Sequence, residues 1–262
     1  MGSDLSKEEG RQNPRRIIAD QLRHDIATGV YGPSAKLPSG RELAAQYQVA
    51  RNTADDAIKI LQAEGLVDIR HGSGAYVRRS KPLVRLGGNR YSRRLRDELG
   101  LSPFLLEAFK QGWQALVEGR SVERVMPPAD VAMRLNVDAN TESVLRRENW
   151  YFADDEPAQI GFTYLPWSIV EGTPLVVPGE PVPTGIYAYL ETLGYTVARI
   201  REEISARMPR HDEAANLRVP PGIPVIEVLH TSFNTDGTPF DVTRFLLRAD
   251  VMGLDYLMPV DD

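Results

Sequence analysis

Apolar residues recur with a helical period at Ile17, Ile18, Leu22 and Ile26, and Gly29 supplies a stop. That spacing predicts an amphipathic helix over 15–28. "YGPSAKLPSG" is turn chemistry. Ser39 then caps a short helix over 40–46, with Glu42 as its capping-box partner and Leu43 and Ala44 facing inward. After "YQVA" a second helix is predicted over 51–63, with its stripe at Ala57, Ile58 and Leu61 and its end at Gly65. "LVDIR" and "AYVRR" read as short strands around "HGSG". Helix, short helix, turn, helix and hairpin follow one another as in a winged helix-turn-helix.

Beyond residue 78 the periodicity lapses. The expected boundaries are a polar tail over 1–13, a winged head over 14–79, an arginine-rich linker over 80–100 and a second domain over 101–262. In that last part helices are predicted over 102–117, 127–135, 184–193 and 211–217. Strands are predicted over 119–126, 143–153, 158–165, 196–208, 224–234 and 239–248. "ADDEP" and "NTDGTP" join strands as hairpin turns. The fold class is therefore α+β, with a largely antiparallel sheet after the head.

Charge sharpens this division. Residues 1–96 hold 18 basic and 10 acidic side chains, net +8, against −13 for the remainder and −5 overall. A basic module joined to an acidic one suggests different partners, and uneven solvated surface is the plainer alternative. No apolar run approaches the roughly 20 residues of a membrane span. The polar start lacks a secretory h-region, so a cytoplasmic location is the expectation. The absence of cysteine excludes disulfides, thiol catalysis and cysteine-held metals.

Four stretches in register, "LPSGRELA", "ARNTADDAI", "LQAEGLV" and "RHGSGAYV", resemble the winged-helix domain of GntR-type bacterial transcription regulators. The resemblance implies a double-stranded DNA operator as partner. Arg41 opens the short helix, and Arg51, Asn52 and Thr53 open the second, where side chains meet the major groove. Gly72 and Ser73 belong to a wing tip whose glycines allow close approach to the sugar-phosphate rail. Lys36, Ser39, Arg70 and His71 are further candidates, although Ser39 is equally a cap and Arg70 and His71 equally solvated side chains. Asp55 departs from the family pattern, which often has a base-contacting arginine there. An aspartate repels phosphate, yet it accepts from cytosine N4 or pairs with Arg51 four residues earlier.

From about residue 100, "PADVAMRLNV", "VLRRENWYFADDEPAQIGFTYLP", "GIYAYLETLGY" and the stretch from "EEISARMPRHD" to "FLLRAD" resemble the UTRA effector-binding domain of the HutC branch, which has a chorismate-lyase-like fold. This implies a small-molecule cleft beside the "GIYAYLE" helix. Carried over by position, its candidates are Arg147, Asn149, Thr163, Gly185, Ile186, Tyr187, His230, Asp241, Thr243 and Arg244. Asn149 and His230 stand where the family often has arginines, and Asp241 where it often has glutamate, which weakens the case for a doubly charged phosphate ligand. Trp150, Tyr151, Phe162 and Tyr164 suit a larger, more apolar effector or are simply alternating strand residues.

An enzyme is the rival class, because the lyase-like fold hosts a catalyst elsewhere. The four histidines are isolated, and no metal, P-loop, nucleophile-elbow or dinucleotide spacing is present. No cofactor is expected. The resulting expectation is a homodimeric, effector-controlled repressor on an inverted-repeat operator. Arg85, Arg90, Arg93, Arg94 and Arg96 of the linker either add phosphate contacts or pair with acidic patches. A sensor that contacts a protein without any ligand is the remaining alternative.

Overall fold

The computed structural model describes residues 13–70, 72–78, 82–87, 90, 100–178 and 185–258. The chain divides into two compact units, Met1–Lys81 and Pro82–Asp262.

In the first unit α1 (Pro14–Ala27) starts where the Asn13 side chain accepts from the Arg15 amide, with Pro14 at the first helical position. α2 (Gly40–Tyr47) has the reciprocal Ser39–Glu42 cap: the Ser39 amide donates to Glu42 Oε2 at 2.7 Å and the Glu42 amide to Ser39 Oγ at 3.3 Å. Gln48, at φ +54°, ends α2 in the left-handed region and turns the chain into α3 (Arg51–Ala63). β1 (Val67–Arg70) and β2 (Gly74–Val77) form the antiparallel wing. Ile18, Leu22, Leu43, Ala57, Leu61 and Val67 make one core, each large side chain contributing about 2 kcal/mol by leaving water. Ile17, expected on the inner face, is 41% exposed, because Ile18 and Leu22 already define the stripe.

The second unit is built on a six-stranded antiparallel sheet. Its strands are β4 (Ala115–Val125), β5 (Val144–Ala153), β6 (Glu156–Pro166), β7 (Arg199–Arg207), β8 (Val225–Phe233) and β9 (Pro239–Arg248), in the order β4-β5-β6-β9-β8-β7. The expected linker is overturned at its start. β3 (Leu83–Leu86) pairs in parallel with β10 (Met252–Asp255), and Leu83 and Arg85 are fully buried. Apolar side chains at 83 and 252 that share a core with Phe104 and Leu247 account for this. The helix expected over 102–117 is also shorter. α4 (Pro103–Lys110) stops before Gly112, whose φ of +71° starts the turn into β4. Residues 91–99 of the expected linker lie outside the described residues.

The two faces of the sheet are covered differently. α5 (Ala129–Leu135) and α8 (His211–Leu217) pack Val131 and Leu217 against Tyr164, Val242 and Leu246. The other face meets α4, the β3–β10 pair, α6 (Trp167–Val170) and α7 (Ile186–Thr192), through Phe104 and Leu190 among others.

Candidate functional site

Two sets of polar side chains stand out, one in each unit. In the head, Arg41 follows the first residue of α2, while Arg51 and Asn52 open α3, and all three are exposed. Thr53 is half-buried. Arg51 Nε lies 3.5 Å from Asp55 Oδ2, so the aspartate adopts the pairing with Arg51 that the one-turn spacing allows. Asp56 instead takes Lys59, at 2.9 Å. On the wing the Arg70 guanidinium lies 4.4 Å from the centre of the Tyr76 ring, and Ser73 Oγ is 2.7 Å from the Tyr76 hydroxyl. Lys36 Nζ is 5.9 Å from the same ring centre, so the wing gathers its cations around one tyrosine. Ser39 is engaged by Glu42 in the cap. Gly72, at φ +73°, makes the wing turn, and His71 lies outside the described residues.

In the second unit a cavity of about 370 Å³ opens between the sheet, α4 and the start of α7. Strand alternation decides its floor. On β5, Arg147, Asn149 and Tyr151 face it; on β6, Thr163 and Gln159; on β9, Thr243 and Phe245. Gly185, Ile186 and Tyr187 line it from the start of α7, and Ser102 and Phe104 from α4 and the turn before it. Arg244, one residue from Thr243, points to the opposite face, where it pairs with Asp130 of α5 at 2.6 Å. That corrects the expectation for Arg244, since neighbours on a strand cannot share a face. The same parity sends Trp150, Phe162 and Tyr164 to the helix-packed face, leaving Tyr151 as the cleft aromatic of the four.

His230 and Asp241 are also corrected. Both are completely buried beneath the cleft and do not line it. The Tyr187 hydroxyl donates to Asp241 at 2.7 Å and lies 3.2 Å from His230 Nε2. His230 Nδ1 is 2.9 Å from Glu202, which also receives Arg85 Nη2 at 2.5 Å and the Tyr256 hydroxyl. Burial alone would raise the Glu202 carboxyl. The hydrogen bond from His230 and the Arg85 charge outweigh it and hold the group well below the usual carboxylate range. Asp241 goes the other way: burial pushes its carboxyl up despite three hydroxyl donors and the nearby imidazole. Arg85 and Arg90 are therefore cations answered by carboxylates, Arg90 lying 3.4 Å from buried Glu107 while it also lines the cleft. Arg93, Arg94 and Arg96 lie outside the described residues.

Arg147 differs from these. It is 7% exposed, and burial lowers its pKa below the ordinary guanidinium value. Its Nη1 donates to the Leu175 carbonyl, and among the described residues no carboxylate pairs with it. Gln159, 1% exposed, leaves both side-chain amide atoms without a partner, as does the Ser102 hydroxyl. Sequence reasoning missed Gln159, Ser102 and Phe104. The two-residue spacing from Thr163 through Gly161 to Gln159 was the available signal, because all three share one strand face. Gly161 keeps the floor low: a Cβ there would come within 3.1 Å of Phe245 and 3.2 Å of Tyr151.

Residues 14–77 match the bacterial regulatory proteins of the gntR family, and residues 110–252 match the UTRA domain. A helix-turn-helix transcriptional regulator of Streptomyces coelicolor is 34% identical over 230 residues, covering 85% of this chain and 84% of that protein. The chain belongs to the GntR family. Carrying both domains, this GntR-family protein has the HutC-type architecture and is a DNA-binding transcriptional regulator. The transcriptional repressor NagR of Bacillus subtilis is 24% identical, covering 92% of this chain and 93% of its own. Among solved structures, a GntR-family regulator aligns with a TM-score of 0.58 at 26% identity, over 95% of this chain and 99% of that one. PhnF from Mycobacterium smegmatis aligns at 0.59 over 93% and 100%, and at 23% identity it bears on the fold alone. Among the described residues no helix is long and apolar enough to cross a membrane, and no cluster of His, Asp and Glu is arranged to hold a metal.

Proposed function

We propose that this regulator is a cytoplasmic homodimeric repressor on an inverted-repeat operator, released or tightened by a small anionic effector in the cleft. One observation carries the effector reading: Arg147 is a buried cation without an acidic partner among the described residues, and it faces a cavity lined by the unpartnered amide of Gln159. A buried charge costs several kcal/mol unless something compensates it, and an anionic group entering the cleft would do so. Thr163 and Thr243, 2.9 Å apart, lie beside it in a hydroxyl chain that ends on Asp241, and Asn149 and Tyr187 flank them. The aromatic end at Phe104, Tyr151 and Phe245 suits an apolar or planar portion of the same molecule.

On the DNA side, Arg41, Arg51, Asn52 and Thr53 meet the major groove, and Lys36, Arg70, Gly72 and Ser73 follow the backbone beside the wing. Ser39 acts as the cap that fixes Arg41. Two-fold symmetry of a dimer would be mirrored in the operator. Effector and operator then share one coupling free energy, typically about 1–3 kcal/mol. The test is thermal unfolding of the full chain against a panel of small carboxylates and phosphate esters, followed by operator binding with each hit. An anion that stabilises wild type, alters DNA affinity and does neither for Arg147→Met supports the reading. A panel without effect on either property, or equal effects on the variant, overturns it.

A further inference from the structure

An acidic residue in a helix that reads DNA needs a reason for being there. Asp55 sits one turn into α3, where its carboxylate would repel the phosphate rails. Its position is set by a neighbour that sequence reading passed over. Gly40, the buried first residue of α2, lies directly under that carboxylate. A Cβ added at Gly40 would fall 1.7 Å from Asp55 Oδ1 and 2.8 Å from its Cγ. No residue other than glycine fits while Asp55 stays where it is. The backbone gives no other reason for glycine, because Gly40 has ordinary helical geometry and makes no left-handed turn. Glycine is in fact a poor helix residue, by up to about 1 kcal/mol against alanine.

The inward pose does two things. It turns the carboxylate toward the start of α2, whose amide ends carry partial positive charge. It also leaves Asp55 Oδ2 3.5 Å from Arg51 Nε, on the inner edge of the guanidinium. The contact through Nε leaves the two terminal amino groups of Arg51 for another partner. That guanidinium edge matches guanine O6 and N7.

We propose that Gly40 and Asp55 act together as positioning residues. Gly40 provides the space, Asp55 fills it, and the carboxylate so placed holds Arg51 as a guanine reader. This rests on the reading of α3 as the base-contacting helix. Asp55 then sets operator specificity without touching DNA, and the glycine and the aspartate must occur together for it to work.

The experiment selects binding sites from a pool of random-sequence duplexes with the full chain and with Gly40→Ala, Asp55→Asn and the double variant. Gly40→Ala and Asp55→Asn should each lose about tenfold of the preference for guanine at the same position of each half-site. The double variant should lose no more than either alone, since both remove one interaction. An unchanged preference in Asp55→Asn, which keeps the side-chain shape and removes its charge, overturns the proposal even if Gly40→Ala fails to fold. So do effects that multiply in the double variant. Loss of a cytosine preference in Asp55→Asn alone does so too, because it would make Asp55 itself the reader. Arg51→Ala separates the two levels. If it leaves affinity unchanged, the reading of α3 falls. If it weakens binding while neither positioning variant changes preference, the pair alone falls.

Discussion

Arg51 of the head and Arg147 of the cleft carry the same charge in opposite settings. The Arg51 side chain is 74% exposed and leans on an aspartate of its own helix. Water and salt already solvate it, so a DNA group meeting it would have to compete with counterions, and binding through it would be salt-dependent. Arg147 is 7% exposed, with a backbone carbonyl as its hydrogen-bond partner and no acid among the described residues. Its cost has been met by the fold in advance, and an anion that arrives there needs little reorganisation to be held. The lesson is that an exposed cation selects by geometry at modest energy, whereas a buried one selects by charge. Arg85 supplies the control: it is equally buried, but Glu202 answers it.

The largest effect should come from breaking that control. Glu202→Gln leaves Arg85 buried without its carboxylate and should cost about 3–5 kcal/mol in urea unfolding near neutral pH. Because the native Glu202 carboxyl is held below its unfolded value, its contribution is present above that unfolded value, near 4.3, and declines as pH falls. The difference between wild type and Glu202→Gln should therefore shrink by about pH 3. Arg147→Met should behave in the opposite sense, keeping stability equal or raising it by about 1 kcal/mol. It should also abolish the roughly 2–3 kcal/mol by which a saturating anion stabilises wild type. If Arg147→Met instead destabilises the protein as Glu202→Gln does, the contrast between the two buried arginines is lost. Arg51→Ala comes next, with a loss of operator affinity of at least about tenfold and a melting temperature close to wild type. The smallest change is expected for Arg41→Ala: a salt-dependence slope reduced by about one unit if Arg41 contacts a phosphate. An unchanged slope with altered base preference would assign it to a base edge.

Much of the head was legible because its signals are local. A cap, a stripe and a glycine stop act within one turn of helix, so Ser39, Leu43 and Leu61 fell where periodicity put them. The strand hairpins were legible for the same reason, since "ADDEP" and "NTDGTP" join β5 to β6 and β8 to β9. Strand parity alone separates Arg244 from Thr243 and puts Gln159 on the face of Thr163. Other features could not be read from the chain. β3 pairs with β10 across almost the whole second unit, so four residues that look like linker become a strand, with Leu83 and Arg85 fully buried. His230 and Asp241 lie on the strands where the resemblance puts them, but the packing of Tyr187 over them decides that they sit beneath the cleft.

The sequence by itself determined the two-module order and the arginines at the helix starts, because short-range periodicity and charge encode them, and its motifs in register carried the resemblance to the family. Only the tertiary structure decided which arginine is solvated, which is answered by a carboxylate and which is buried against a backbone carbonyl, and that Gly40 makes room for Asp55. Those properties depend on what long-range packing brings within a few ångströms of each charge, and no spacing along the chain records that distance.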